Sequence, residues 1–231
     1  MLILGVDSST KAGTASLLTE DKLVGEKLLN LDQTHSQRLM PQIIDLMTSC
    51  GYQPEDLTGV GVAKGPGSFT GTRIGLATAK TLAQSLDLPT VGISTLKVLA
   101  YSLKYVSGYI CPVIDARGGR VFTGLYRFEE NLIAEKKETM LGKEELLSHL
   151  VDIQSAVYFV GNITAEYRSE IESRLVKPQF VTDLFNLPRA GAVAELAADR
   201  LAAGEADDLF ALTPNYLKRS QAEIQWEQKQ D

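Results

Sequence analysis

Two aspartates are the residues of this chain best placed to do chemistry, each closing an apolar run and opening a tight turn. Asp7 follows Leu2–Val6 and leads into Ser8-Ser9-Thr10; Asp115 follows Tyr109–Ile114 and leads into Ala116-Arg117-Gly118-Gly119. A carboxylate at the end of a buried strand, beside hydroxyls and turn amides, can hold a hydrated magnesium ion while the amides take a phosphate. The same aspartates can equally do no more than accept hydrogen bonds from their own turns, where Asp is a favoured residue. Asp7, Ser8 and Asp115 thus form a candidate nucleotide site on one reading and plain turn residues on the other.

The densest pattern is Lys64-Gly65-Pro66-Gly67-Ser68-Phe69-Thr70-Gly71. No Gly-Lys-Ser/Thr follows at P-loop spacing, and the third glycine falls one residue too late for a dinucleotide fingerprint. A strand-to-helix connection capped by Ser68, Thr70 or Thr72 is favoured by the pattern alone, with an anion site at a helix N-terminus as the sharper alternative. His35 and His149, the only histidines, sit in no metal-binding spacing. Cys50 and Cys111 lie far apart and match no zinc pattern, so two free thiols are expected. No nucleophile–base arrangement suggests itself. The expected catalytic set is empty, and neither a metal nor a cofactor is expected.

The elements that must position these residues follow from periodicity. Continuous apolar runs at Leu2–Val6, Val60–Ala63, Thr90–Ile93 and Tyr109–Ile114 predict buried strands, with further strands at 14–18, 23–28, 121–128, 132–137, 157–160 and 180–181. Helices are predicted at Ser36–Cys50, with Ser36 as cap and Gly51 as terminator, and at about Thr72–Leu86, Thr95–Tyr105, Lys143–Val151 and Ala190–Ala203. Gly71, Gly75, Ala79 and Ala83 recur every fourth residue, a smooth helix face that another backbone can approach closely. Whether that neighbour is internal or another protein is not set by the spacing. The apolar residues of Ser36–Cys50 spread over more than the ~100° stripe one buried face needs. Either a partner or a neighbouring helix accounts for the excess.

The stretches around Asp7 and Asp115 read alike: strand, Asp, tight turn, strand. Two such halves suggest a duplicated α/β lobe. The 231 residues then divide into an N-terminal lobe (1–108), a C-terminal lobe (109–219) and a polar, flexible tail (220–231). With 44% apolar residues the chain can build real cores. Lys plus Arg number 23 against 29 Asp plus Glu, a net charge of −6, which argues against unaided RNA binding. The start of the chain reads as a strand rather than a signal peptide, and no run reaches the ~20 apolar residues of a membrane span. A cytoplasmic protein is expected.

Six segments, in order, resemble the TsaB/YeaZ family over nearly the whole chain. They are Ile3–Thr10, His35–Pro41, Lys64–Gly75, Gly92–Leu96, Ile114–Arg117 and Pro214–Arg219, and the Gly-Pro-Gly-Ser-Phe-Thr-Gly-x-Arg-Ile-Gly stretch within the third is the most specific. The resemblance implies a two-lobed actin/hexokinase-like (ASKHA, ribonuclease H-like) duplicated α/β fold with a reduced second lobe. It also implies a non-catalytic subunit that activates TsaD, which with the ATPase TsaE transfers threonylcarbamoyl to the adenosine beside the tRNA anticodon. TsaD carries a metal-binding His-x-x-x-His after the strand equivalent to Thr90–Ile93; here that segment reads Ser94-Thr95-Leu96-Lys97-Val98-Leu99, without imidazoles. What the resemblance further implies is binding of TsaD through the two N-lobe helices, with Leu39, Ile43, Met47, Gly71, Gly75, Ala79 and Ala83 at the interface. The same helices could mediate a homodimer when TsaD is absent, and tRNA contact is expected only through the complex. The competing readings are an autonomous ATP-binding, kinase-like enzyme and a metallopeptidase-like enzyme of the same fold.

Overall fold

In the computed structural model, residues 1–31 and 35–217 are described; the expected tail from Ser220 lies outside them. The chain runs β1 (Leu2–Asp7), β2 (Ala12–Thr19), β3 (Leu23–Asn30), α1 (His35–Cys50), β4 (Gly59–Ala63), α2 (Phe69–Leu86), β5 (Thr90–Ile93) and α3 (Thr95–Tyr101). It continues through β6 (Tyr109–Arg117), β7 (Arg120–Phe128), β8 (Leu132–Gly142), α4 (Lys143–Leu150), β9 (Val157–Gly161), α5 (Ala165–Arg174), β10 (Pro178–Phe180) and α6 (Ala190–Ala202).

The first sheet has the order β3-β2-β1-β4-β5 and the second, read from its far edge, β8-β7-β6-β9-β10. In each, the first strand pairs antiparallel with the second and parallel with the fourth. One topology is therefore used twice, with β1 and β6 as equivalent central strands. Asp7 and Asp115 stand near the carboxyl ends of those two strands. This is the duplicated ribonuclease H-like arrangement of actin and hexokinase folds.

Alternation along the strands sorts the cores. Leu2, Leu4, Val6 and Leu17 face α1, through Leu39, Ile43, Leu46 and Met47, while Val60 and Val62 face Leu76, Ala79 and Ala83 of α2. Ile3, Leu18, Val91 and Ile93 form the opposite core with Val98 of α3 and the alanine-rich α6. In the second lobe Val113, Val121 and Leu125 pack on α4 and α5, and Ile110, Ile114, Phe122 and Tyr126 pack on Leu96 and Leu99 of α3 and on Leu103 just after it. α3 thus belongs to both lobes and joins them.

Three expectations are corrected here. α6 does not stay in the second lobe: it crosses back to the first sheet, where β-carbons on Gly5 or Gly61 would collide with its backbone or side chains. The expected 109–219 lobe therefore loses its last helix, because an Ala-rich helix needs a glycine-lined surface to approach, and the first sheet supplies it. α1 begins at His35, so Ser36 lies inside the helix rather than capping it. α5 was not predicted, since only Tyr167 and Ile171 of its ten residues are buried.

Candidate functional site

The turn after β1 is folded into its surroundings on every side. Asp7 is 1% exposed, and its Oδ1 accepts from the amide of Ser9 at 2.6 Å and from the Ser9 hydroxyl at 2.7 Å. The Ser9 hydroxyl accepts in turn from Thr95 Oγ1 at 2.9 Å, and the Ser9 carbonyl accepts from the Ser68 amide at 2.6 Å. Ser8 Oγ donates to the Gly71 carbonyl at 2.8 Å. Thr95 N donates to the Gly65 carbonyl at 2.9 Å, so α3, the Gly65–Gly71 loop and the β1 turn form one network. The Gly65–Pro66 peptide is cis.

Burial pushes the Asp7 carboxyl up to about 6 against the opposing hydrogen bonds from Ser9. Asp7 Oδ2, Thr14 Oγ1 and Ser16 Oγ are buried without hydrogen-bond partners among the described residues. Thr14 pairs with Asp7, and Ser16 with Gly5, across the β1–β2 ladder.

This packing explains the glycine spacing. A β-carbon on Gly67 would strike the Ser9 carbonyl, one on Gly71 would strike the Ser8 carbonyl, and one on Gly75 would lie 2.5 Å from Ser8 Oγ. The smooth face of α2 is therefore filled from inside: its first two turns by the β1 turn, its later turns, through Ala79 and Ala83, by Val60, Val62 and Leu212. Leu39, Ile43 and Met47 are 2%, 1% and 4% exposed against the first sheet. None of the seven residues expected at a partner interface offers exposed surface, a correction that follows from Gly71 and Gly75 facing the β1 turn and the other five facing the apolar sides of β1, β2 and β4.

The outward faces of the same helices are made by other residues. On α1, Met40 (37% exposed) and Ile44 (53%) are four apart and share a face, with exposed Pro41 and Asp45 beside them. On α2 the exposed series is Phe69, Arg73 and Ala77, again four apart. The signal was present as the over-wide apolar arc of α1: the excess is Met40 and Ile44. α1 and α2 also touch one another.

Asp115 is exposed, and its Oδ1 accepts from the Arg117 amide at 3.0 Å, Arg117 itself having a left-handed φ of 63°. A metal–nucleotide of the kind held by actin-like folds needs accessible carboxylates and free amides. Here Asp7 is enclosed, and the amides of Ser9, Ser68, Gly71, Thr72 and Thr95 all donate within the chain. The residues present do not fit that ligand. Thr95 and Leu99, at the positions where the family resemblance would place imidazoles, are 0% and 1% exposed; one is spent on Ser9 and the other on the inter-lobe core.

Residues 26–226 match the family model of TsaD, described as tRNA N6-adenosine threonylcarbamoyltransferase. The chain is 37% identical over 234 residues to the tRNA threonylcarbamoyladenosine biosynthesis protein TsaB of Bacillus subtilis (strain 168), covering 100% of both. It is 36% identical over 141 residues to the protein of the same name from Escherichia coli (strain K12), covering 60% of this chain and 61% of the relative. Among solved structures, YeaZ from Pseudomonas aeruginosa superposes with a TM-score of 0.79 at 26% identity, covering 93% of this chain and 99% of that one. The ROK hexokinase from Thermus thermophilus, with a TM-score of 0.50 at 10% identity, covers 88% and 100% and is a likeness of fold alone.

Proposed function

The chain belongs to the TsaB family of tRNA threonylcarbamoyladenosine biosynthesis proteins, and on that footing we propose that it is the non-catalytic subunit that activates TsaD. In this role it associates with TsaD and the ATPase TsaE in the cytoplasm and meets tRNA only within their complex. No helix among the described residues is long and apolar enough to cross a membrane.

The observation that carries the proposal is the state of the β1 turn. Where a kinase-like relative would present a carboxylate and free amides to a nucleotide, this chain fills the space with its own Ser8, Ser9, Ser68 and Thr95. Asp7, Ser8 and Asp115 are then a vestigial site, in which Asp7 and Ser8 position α3 and α2 and Asp115 holds only its own turn. What the two helices offer outward is Met40 and Ile44 on α1 and Ala77 on α2, suited to burial against TsaD or, in its absence, against a second copy of this chain.

Reconstitution tests this. With TsaD, TsaE, threonylcarbamoyl-adenylate and an ANN-decoding tRNA, modification should depend on adding the chain, and Asp7→Asn should support it as well as the unaltered sequence. The chain alone should not turn over ATP. ATP hydrolysis by the chain alone, abolished by Asp7→Asn, would establish the kinase-like alternative instead.

A further inference from the structure

We propose that Phe69, Arg73 and Tyr216 form a platform that stacks a base and holds a phosphate of single-stranded RNA, giving this subunit a direct contact with the tRNA of the complex. The inference rests on the function proposed above and adds a substrate contact to it.

The three side chains come from the first turns of α2 and from the last described residues of the chain. The Phe69 and Tyr216 rings stack at 5.6 Å between centroids and 29° between planes, yet remain 57% and 48% exposed. The Arg73 guanidinium lies 3.8 Å from the Phe69 centroid, and Arg73 Nε donates to the Tyr216 hydroxyl at 2.7 Å. Arg73 is thus fixed through one nitrogen, and its two Nη groups have no hydrogen-bond partner among the described residues. A pinned guanidinium with a free fork is arranged for a phosphate.

The platform is rigidly backed. Asn215 N donates to the Lys64 carbonyl at 2.7 Å, and Asn215 Nδ2 donates to Glu138 Oε2 at 3.3 Å, tying the segment to both lobes. Ordering costs that a flexible aromatic would meet on binding are therefore met in the fold.

Charge separates RNA from a protein occupant. The chain is acidic overall, but from Leu57 to Leu86 it carries Lys64, Arg73 and Lys80 and no carboxylate. Glu138, the carboxylate bound to the Asn215 strap, has its other oxygen taken by the Tyr126 hydroxyl at 2.6 Å. Protein interface cores are apolar and depleted in charge; exposed rings beside a guanidinium that has no carboxylate partner among the described residues, with the exposed Ser68 and Thr70, are the chemistry of a stacked base with its phosphate. One such contact is too little for unaided RNA binding by a chain of net charge −6, and serves only alongside a partner.

The test uses the complex assembled with TsaD and TsaE, and an anticodon stem-loop as the probe, with affinity read by fluorescence anisotropy over a range of salt. Phe69→Ala and Tyr216→Ala should each weaken binding on the order of tenfold. Phe69→Tyr should retain it, and Arg73→Gln should weaken it and flatten the salt dependence by about one charge. Co-elution with TsaD is measured on the same samples. Unchanged RNA affinity in normally assembled complexes overturns the platform and leaves the accessory role standing. Loss of TsaD from the variants makes these residues a protein anchor and also overturns it. Failure of the unaltered chain to co-elute with TsaD overturns the accessory role, and the platform with it.

Discussion

The hydroxyl of Ser8 lies 2.5 Å from the point where a β-carbon on Gly75 would stand, while it donates to the carbonyl of Gly71 one helical turn earlier. The Gly71–Gly75 spacing is thus the imprint of the β1 turn on α2. Gly75→Ala gains about 1 kcal/mol of helix propensity and meets a steric penalty of roughly 1–3 kcal/mol, so a net loss of stability is expected. The next atom beyond Ser8 Oγ is Ser8 Cβ at 3.8 Å. Ser8→Ala should therefore rescue Gly75→Ala, a positive coupling visible in a double-mutant cycle by thermal or urea unfolding. Gly71→Ala strikes the Ser8 carbonyl, which no side-chain change removes, and the same Ser8→Ala should leave it unrescued.

Asp7 should make stability depend on pH in an unusual direction. Its carboxyl is raised from 3.8 to about 6 in the folded protein, so between those values the folded state holds the proton and the unfolded state does not. This group's contribution to stability is full below about 4 and is lost as pH rises through 6, a change on the order of 3 kcal/mol. Asp7→Asn removes the titration while retaining an acceptor for Ser9. The stability of Asp7→Asn relative to the unaltered protein should grow between pH 4 and pH 7; a difference that is flat with pH would show that Asp7 does not titrate there.

The return of α6 to the first sheet is held at its start by a residue of β3. Glu26 Oε1 accepts from the Gly191 amide at 2.9 Å, and Oε2 accepts from Arg189 Nε at 3.0 Å. A carboxylate here serves as a cap supplied from another element, favoured by the helix dipole. Glu26→Ala should cost about 2 kcal/mol and Glu26→Gln less. Hydrogen exchange should locate the loss in the first turns of α6; an unchanged melting temperature would mean that this contact contributes nothing.

Much of this architecture was legible in the residues. The likeness of Leu4–Ser9 to Pro112–Arg117 suggested the duplication, because each central strand is buried on both faces and reads as an unbroken apolar run. The need for a close neighbour at Gly71 and Gly75 was legible too, but not which neighbour: spacing records that room is required, and a turn on β1 leaves the same mark as a partner helix. Leu39, Ile43 and Met47 drew attention as apolar, yet apolarity marks the buried side of α1, and its surface is told by the residues that do not fit that stripe, Met40 and Ile44. The crossing of α6 depends on glycines of two different strands, Gly5 and Gly61, which come together only in the sheet. Glu26 and Arg189 meet across most of the chain, with no local pattern to announce them.

The proposed binding of TsaD through Met40 and Ile44 on the outward face of α1 is probed by Ile44→Arg. Ile44 is 53% exposed, so the substitution costs the isolated chain almost nothing and its circular dichroism and melting temperature should not change. At an interface the same side chain would bring an unpaired charge out of water, a penalty of several kcal/mol, which corresponds to a hundredfold or greater loss of affinity. The measurement is the dissociation constant for TsaD by titration calorimetry, with the unaltered chain alongside. A folded variant with at least that loss is expected; a folded variant that binds TsaD with unchanged affinity would place the interface elsewhere.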